Sequence, residues 1–318
     1  MVPVAEDDGG GATPLARPST PPLARPSTPP LLCIGNITVD ESVQADGSRR
    51  EALGGDAIFA VLAARHVGGD ATWLAPIGDD LPAAMLERLR HAHLDPDQLP
   101  RRNLPTVRNV VTYDAGGGRS WDLITGAEHF DRMSVYPSDV PDEYLGCAGI
   151  LVLAMSLRSQ LALTPWLRAH SAATIYLDLE EDGVAGHETE ILDLLASCDV
   201  FLPSEVEARA LTGTDDLADA ARRFAALGPS CVVIKRAERG CLVLDRGRVT
   251  EVPTRAVAPV DPTGAGDAFC GAFAATHLRT GDPVAAARVA ATAAQFAISD
   301  YGVEALLTDA THRAGART

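Results

Sequence analysis

The stretch DPTGAGDAFCGAFAATHL, residues 261–278, is the most informative part of the sequence. Gly264, Ala265 and Gly266 stand directly before an apolar segment, so we expect a glycine turn that leads into a helix. The free backbone N–H groups and the positive end of that helix would converge on one point, which favours anion binding. Asp267 lies in the same turn, where a bound phosphate would repel its carboxylate.

Phosphoryl transfer would give Asp267 a chemical role in this turn. Backbone donors would hold the charge of the transferring phosphate while the carboxylate accepts the proton of the attacking hydroxyl. The simpler alternative is an ordinary glycine turn in which Asp267 caps the helix. Two other phosphate motifs fail: a dinucleotide fingerprint needs glycine where Phe269 stands, and the single lysine, Lys235, is not part of a Walker A loop.

Strand-like and helix-like segments alternate along most of the chain. Short apolar runs such as LLCIGNITVD (31–40) predict buried strands, and GGDAIFAVLAARHVG (54–68) predicts a glycine turn followed by a helix. This alternation predicts an α/β fold with a mainly parallel sheet flanked by helices on both faces. The β-rich pieces near 37–53 and 106–125 do not fit the alternation and would pair as a small β lid.

The two ends of the chain differ from its interior. Residues 1–30 hold eight of the 22 prolines and a repeated octapeptide, PLARPSTP, so we expect an extended, disordered tail. The folded domain is expected over 31–305. Residues 306–318 are expected to form a C-terminal tail.

Composition limits the classes of partner. The 318 residues include 27 Lys+Arg and 43 Asp+Glu, which gives a formal net charge of −16 at pH 7. Such an acidic surface disfavours nucleic acid, and no apolar run approaches the roughly 20 residues that a membrane-spanning helix needs. The six cysteines lack CxxC spacing, which indicates reduced, buried thiols in a cytoplasmic protein. We expect a monomer or homodimer that acts on a small molecule.

Three motifs resemble those of the ribokinase or PfkB family of ATP-dependent carbohydrate kinases. DPTGAGDAF resembles the carboxyl-terminal signature, LGGDAIFAVLAARHVGGDATWLAPIGDD (53–80) the amino-terminal signature, and VVIKRAERGCLVL the strand–turn–strand beside the nucleotide. The resemblance covers roughly residues 31–305. It implies a ribokinase-like fold, an ATP site between the later loops and a sugar-like site under the lid. It also implies Mg²⁺ and often a monovalent cation such as K⁺ near Asp261.

The resemblance also implies roles for individual residues. Asp267 matches the catalytic base, and Gly264, Ala265 and Gly266 match the anion hole. For Asp40, a turn residue at a strand end is the alternative. The other candidates follow strands or lie in the matched motifs: for the substrate Asn36, Asp40, Gly54, Gly55 and Asp56; for the nucleotide Ser204, Glu207, Lys235, Asp261 and Thr263, with Glu207 also an indirect metal residue.

Some of these positions have an open interpretation. Lys235 could meet a nucleotide phosphate as a point charge, or could be a surface lysine. Asp178, at the carboxyl edge of the sheet, is a candidate for a supporting role. Asp56 stands where many family members have Asn, and Ser204 stands where PSEVEA would usually read Pro-Asn-x-x-Glu. Ala237 replaces a common glycine.

The sequence therefore predicts an ATP-dependent phosphotransferase that moves the γ-phosphate to a hydroxyl of a sugar, cyclitol or polyol. A nucleoside kinase of the same fold is the first alternative. A nucleotide-binding regulator that has lost transfer is the second; Ser204 and Ala237 favour it, whereas the intact Asp267 opposes it.

Overall fold

The computed structural model of the protein describes residues 1, 30–43, 45–113, 119–180 and 183–315. The predicted disordered tail falls almost wholly on residues 2–29, which lie outside the described residues. The last three residues, 316–318, also lie outside them.

Eight strands form the larger sheet. They are β1 (Leu31–Ile34), β4 (Ala71–Leu74), β7 (Gly149–Val152), β8 (Thr174–Leu177), β9 (Val200–Phe201), β10 (Cys231–Lys235), β11 (Cys241–Asp245) and β12 (Arg248–Val252). Their order is β12-β11-β10-β9-β8-β7-β1-β4. The six neighbouring strands β10, β9, β8, β7, β1 and β4 are all parallel to one another. Strands β11 and β12 add to the β10 edge as antiparallel neighbours. The apolar runs predicted as strands are buried in this sheet, as expected for parallel strands covered on both faces.

Helices cover both faces of the sheet. They are α1 (Asp56–His66), α2 (Ala83–His91), α3 (Ala127–Arg132), α4 (Leu157–His170), α5 (Glu188–Leu194), α6 (Glu205–Thr212), α7 (Leu217–Ala225), α8 (Ala265–Thr280), α9 (Pro283–Ala297) and α10 (Glu304–Gly315). One core packs α1, α8 and α9 on the sheet, and a second core lies on the other face under α4 and α7. Helices α1 and α8 pack side by side, and a Cβ at Gly264 before α8 would lie 2.4 Å from the ring of Phe59 in the first turn of α1. The glycine turns that precede the two helices therefore lie at the same end of the sheet.

The two β-rich pieces pair as a second, small sheet. Its strands are β2 (Thr38–Val43), β3 (Arg49–Gly54), β5 (Val107–Tyr113) and β6 (Arg119–Leu123), in the order β3-β2-β5-β6. Strands β2 and β5 are parallel with Asp40 opposite Asn109, whereas the β2–β3 and β5–β6 pairs are antiparallel. This register brings a carboxylate and an amide from distant parts of the chain to one site.

The prediction of a C-terminal tail from residue 306 is wrong for the described residues. Helix α10 continues to Gly315, and Leu306 and Leu307 are buried in the core beside α1 and α9. Glu304 in its first turn accepts a hydrogen bond from Arg88 of α2 at 2.8 Å. The helix is therefore fixed by apolar burial and an ion pair, neither of which is visible without the fold.

The cysteines behave as predicted, since all six are free and buried. No helix among the described residues is long and apolar enough to cross a membrane.

Candidate active site

The glycine turn before α8 has the geometry that the sequence predicts. Gly264 is left-handed, with φ 74° and ψ 5°, and directly precedes the first helical residue, Ala265. A Cβ at Gly264 would lie 2.4 Å from ring atoms of Phe59 on α1, so both the backbone angle and the space require glycine. The Ala265 N–H donates to the carbonyl of Pro262 at 3.4 Å. The N–H of Gly266 has no partner within the helix by construction, which leaves it available to an anion.

Asp267 lies in the first turn of α8 and remains partly accessible. Burial raises the pKa of Asp267 to about 7; the Asp178 and Asp40 carboxylates add to the rise, and the Lys235 ammonium opposes it. A carboxylate with a pKa near neutrality is suited to accept and release a proton under physiological conditions. The turn thus combines an anion-binding backbone with a group able to act as a base.

Asp40 lies on β2 in the small sheet and faces this turn. Its Oδ1 accepts hydrogen bonds from Thr38 Oγ1 at 2.8 Å and from Asn109 Nδ2 at 2.9 Å. Burial raises the pKa of Asp40 to about 6. Together with Asp261 and Thr263 it lines a small cavity between the small sheet and the loop before α8. Asp40 is therefore held in place by two donors, which a free turn residue would not need.

Asp56 and Asn36 form the part of the candidate site that lies beside the start of α1. Asp56 follows Gly54, the last residue of β3, and Gly55, which precedes α1. Its Oδ1 accepts the backbone N–H groups of Asn36 and Ala57. Burial, and next the Asp267 carboxylate, hold the pKa of Asp56 well above its usual range.

Three buried acceptor oxygens in this region lack a hydrogen-bond partner among the described residues. They are Asn36 Oδ1, Asp56 Oδ2 and Asn109 Oδ1. Buried polar atoms are normally paired, and an unpaired one costs about 1–3 kcal/mol. The arrangement therefore suits a ligand that brings hydrogen-bond donors, such as hydroxyl groups.

Ser204 and Glu207 form a capping box at the start of α6. Glu207 N–H donates to Ser204 Oγ at 3.2 Å, and Ser204 N–H donates to a Glu207 carboxylate oxygen at 2.7 Å. Burial raises the pKa of Glu207 to about 7, although the Lys235 ammonium lowers it. The S-x-x-E pattern at 204–207 is the sequence signature of this cap. A metal role for Glu207 stays a prediction.

Lys235 is not a surface lysine. It ends β10, and its Nζ lies 2.6 Å from Asp178 Oδ1, with side chains 15% and 4% exposed. Asp178 follows β8, so the pair joins two strand ends across β9. The burial of Lys235 had no sequence signal, because it depends on the strand order.

Asp261 links the turn before α8 to a later loop. Its Oδ1 accepts the N–H of Thr263 at 2.9 Å, and its Oδ2 accepts the N–H of Gly302 at 3.0 Å. Tyr301 and Gly302 also line the cavity beside Asp40, and sequence reasoning missed both. They follow α9 in an irregular segment without any motif.

Metal-ligating side chains are not grouped here in a ready set. Within the described residues, no cluster of three or more His, Cys, Asp or Glu side chains could hold a metal ion. Glu207, the predicted indirect metal residue, uses its carboxylate in the capping box. A divalent cation would therefore need most of its ligands from a bound phosphate compound.

The amino-acid sequence is similar to those of known proteins. Residues 32–310 match the family model described as pfkB family carbohydrate kinase. The chain is similar to a cytidine kinase of Thermococcus kodakarensis, with 29% identity over 252 residues that cover 78% of this chain and 88% of that protein.

Solved structures show the same fold. Arabidopsis thaliana ribokinase complexed with ribose and ATP superimposes with a TM-score of 0.71 at 20% identity, covering 89% of this chain and 99% of that one. The Burkholderia thailandensis nucleoside kinase in complex with inosine gives 0.70 at 19% identity, covering 90% and 98%. At such identities these structures show the fold alone. The predicted ribokinase-like α/β fold with a second small sheet is confirmed.

Proposed function

The chain belongs to the PfkB family of carbohydrate kinases, and from that premise we propose that it transfers the γ-phosphate of ATP to a hydroxyl group of a sugar, cyclitol or related polyol. The observation that carries the proposal is Asp267, a partly accessible carboxylate in the first turn of α8. Burial raises the pKa of Asp267 to about 7, which suits a group that takes up and releases a proton near neutral pH.

Each part of the site has a role in this reaction. The backbone around Gly264, Ala265 and Gly266 would receive the charge of the transferring phosphate. Asp267 would take the proton of the attacking hydroxyl, which makes that oxygen a better nucleophile. Asp40 and Asp56 would orient the acceptor molecule by accepting hydrogen bonds from its other hydroxyl groups.

We propose ATP with Mg²⁺ as the phosphate donor. The Mg²⁺ ion would neutralise phosphate charge when bound. Because the described side chains offer no ready ligand set, we propose that the phosphates supply most of its ligands and assign no step to the metal. A monovalent cation such as K⁺ near Asp261 and a nucleotide contact by Ser204 or Thr263 stay predictions.

A nucleoside is the second candidate for the acceptor. The similarity to a cytidine kinase extends over 88% of that protein, and the hydroxyl groups of a ribose would offer the same donors as a free sugar.

The six buried thiols suit a reducing compartment, and we propose a cytoplasmic location.

The direct experiment is a screen of ADP release from ATP and Mg²⁺ with sugars, cyclitols and nucleosides as acceptors. We expect one class to stimulate ADP release and ³¹P NMR to detect a phosphate monoester product. Stimulation that Asp267→Asn abolishes would support the proposal. Tight ATP binding with no stimulation by any acceptor class would favour the nucleotide-binding regulator instead.

A further inference from the structure

A buried cluster of charged and polar side chains lies beneath the first turn of α8. Lys235 Nζ donates to Asp178 Oδ1 at 2.6 Å and lies 3.5 Å from the sulfur of Cys270, one helical turn after Gly266. The Cys270 thiol donates to Asp178 Oδ2 at 3.2 Å, and the N–H of Leu179 donates to Asp178 Oδ1 at 3.0 Å. Both Asp178 oxygens are therefore partnered, and the ammonium is fixed.

The ammonium of Lys235 lies directly against the anion-binding turn. A Cβ at Gly266 would lie 3.8 Å from Lys235 Nζ. A cation beside a helix N-terminus is unfavourable, because that end of the helix already carries positive partial charge. Burial of an ion pair also carries a desolvation penalty that apolar side chains would avoid. Stability alone does not account for a lysine in this place.

The charges around Asp267 indicate what Lys235 does at this position. Asp178 after β8 and Asp40 on β2 act on Asp267 as like charges, and Lys235 on β10 opposes them. The Asp267 carboxylate in turn raises the pKa of Asp56 on α1. Glu207 on α6 interacts with Lys235 in turn. A bound phosphate would add further negative charge on the same side. Without a fixed cation, Asp267 would hold its proton at neutral pH and could not act as a base.

We propose that Lys235 is a positioning residue for phosphoryl transfer: held by Asp178 beneath the turn, its ammonium keeps Asp267 ionised when a phosphate is bound. The inference rests on the proposed role of Asp267 as the base. Lys235 acts through Asp267 and needs no contact with either substrate. Asp178 has the complementary task of keeping the ammonium in place beneath the turn.

The test is the pH dependence of turnover in variants with opposite charge changes. Lys235→Met removes the cation, so the acid limb of the kcat profile should move to higher pH by about one unit or more. Asp178→Asn removes a like charge and keeps a hydrogen-bonding partner for the ammonium, so the limb should move to lower pH. The double variant should lie between the two, and Lys235→Arg, which keeps the charge, should stay within about half a unit of the unaltered chain.

A merely structural ion pair predicts a different pattern. In that case Lys235→Met and Asp178→Asn would both lower stability and leave the acid limb where it is. Arg168→Met is the control, since Arg168 of α4 pairs with Asp199 at the amino-terminal end of β9, at the opposite end of the strands from Lys235. It should lower stability without moving the limb. Unmoved limbs in both site variants, or shifts in the same direction, would overturn the proposal.

A second measurement separates this inference from the proposed function. Carboxyl ¹³C NMR of Asp-labelled protein, with Asp267→Asn to assign the signal, reports the titration of Asp267 without any acceptor substrate. Opposite shifts of this titration in the two variants support the coupling even if no acceptor is found. Should Lys235→Met not fold, Asp178→Asn and the double variant decide the matter, because an unmoved Asp267 titration in both would overturn the coupling.

Discussion

The two ends of helix α8 use the same backbone conformation in opposite surroundings. Gly264 before the helix has φ 74° and Gly281 after it has φ 66°, so both are left-handed. A Cβ at Gly264 would collide with Phe59 on α1, whereas a Cβ at Gly281 would meet nothing within 4 Å. The C-terminal end is an ordinary glycine cap in which the Gly281 N–H donates to the carbonyl of His277 at 2.8 Å.

The charges at the two ends differ as strongly as the space around them. At the C-terminal end, Tyr176 Oη and His277 Nδ1 lie 2.9 Å apart, and the His277 ring stacks on Phe273. Burial lowers the pKa of His277, so its imidazole is neutral although a helix C-terminus favours a cation. At the N-terminal end, Asp267 and Lys235 are ionisable groups whose charged forms are disfavoured by burial. The C-terminal end thus has the features of packing, whereas the N-terminal end has the groups that the proposed reaction would use.

The largest expected effect comes from Asp267→Asn at the N-terminal end. The amide keeps the size and shape of the side chain but takes no proton at neutral pH. Loss of a general base typically lowers the rate by about 10²–10⁴, so turnover on the identified acceptor should fall by that factor. Removal of a negative charge near phosphate should leave ATP binding equal or tighter. Steady-state kinetics and calorimetric titration with ATP measure the two quantities.

Asp267→Asn also has two outcomes that would contradict the proposed mechanism. Near-normal turnover would mean that another group takes the proton. Loss of ATP binding together with turnover would mean that Asp267 holds the turn in shape, which is the capping alternative that its sequence position left open.

Alanine at each of the two glycines sharpens the comparison. A left-handed alanine costs about 1–2 kcal/mol at either end, but only at Gly264 must the turn also move away from Phe59. Gly264→Ala should therefore lower turnover at least about tenfold, since a displacement of about 1 Å near the reacting groups can cost 10²-fold. Gly281→Ala should lower stability alone. Thermal unfolding and kcat of both variants, measured side by side, test this; equal turnover would remove the distinction between the ends.

The sequence predicted the N-terminal end better than the rest of the site. The order of glycines, acid and apolar helix within residues 261–278 is local, so both the turn and the placement of Asp267 follow from it. The Lys235–Asp178 pair depends on strand order across β9, and the Asp40–Asn109 bond depends on the register of a parallel pair 69 residues apart. No local pattern encodes either. The same reason explains the error over residues 306–315, whose helix is defined by the core that receives it.

The pH dependence of stability offers a third test of the difference. Burial raises the pKa of Asp267 and of Glu207 to about 7, above the ordinary values of 3.8 and 4.5. The folded state therefore binds more protons than the unfolded state between about pH 4 and pH 7, and the free energy of unfolding should fall as pH rises through that window. Turnover, which needs ionised Asp267, should rise through the upper part of the same window.

Asp267→Asn is the control for the pH dependence as well. Without a buried charge at this position, the variant should unfold at a higher temperature than the unaltered chain at pH 8, because its free energy of unfolding is higher by on the order of 1 kcal/mol. Near pH 4 the two proteins should unfold at the same temperature. Melting curves without nucleotide across pH 4–8 measure the difference. A constant offset at every pH would show that Asp267 is not destabilised by its burial.

The smallest expected effect is that of Tyr176→Phe at the C-terminal end. Burial raises the pKa of Tyr176 well above its usual range, so the hydroxyl stays protonated, and it lies 2.9 Å from Nδ1 of His277. Phenylalanine keeps the ring contact with Phe273 but leaves that nitrogen without its hydrogen-bond partner, which should lower the free energy of unfolding by about 1 kcal/mol. Turnover and the acid limb of its pH profile should not change, because the charges around Asp267 are untouched.

Urea unfolding of Tyr176→Phe, Asp267→Asn and the double variant tests this independence, since the two stability changes should add when the ends of the helix are not energetically coupled. A tenfold loss of turnover in Tyr176→Phe would instead mean that the packing at the C-terminal end helps to set the geometry of the turn at the other.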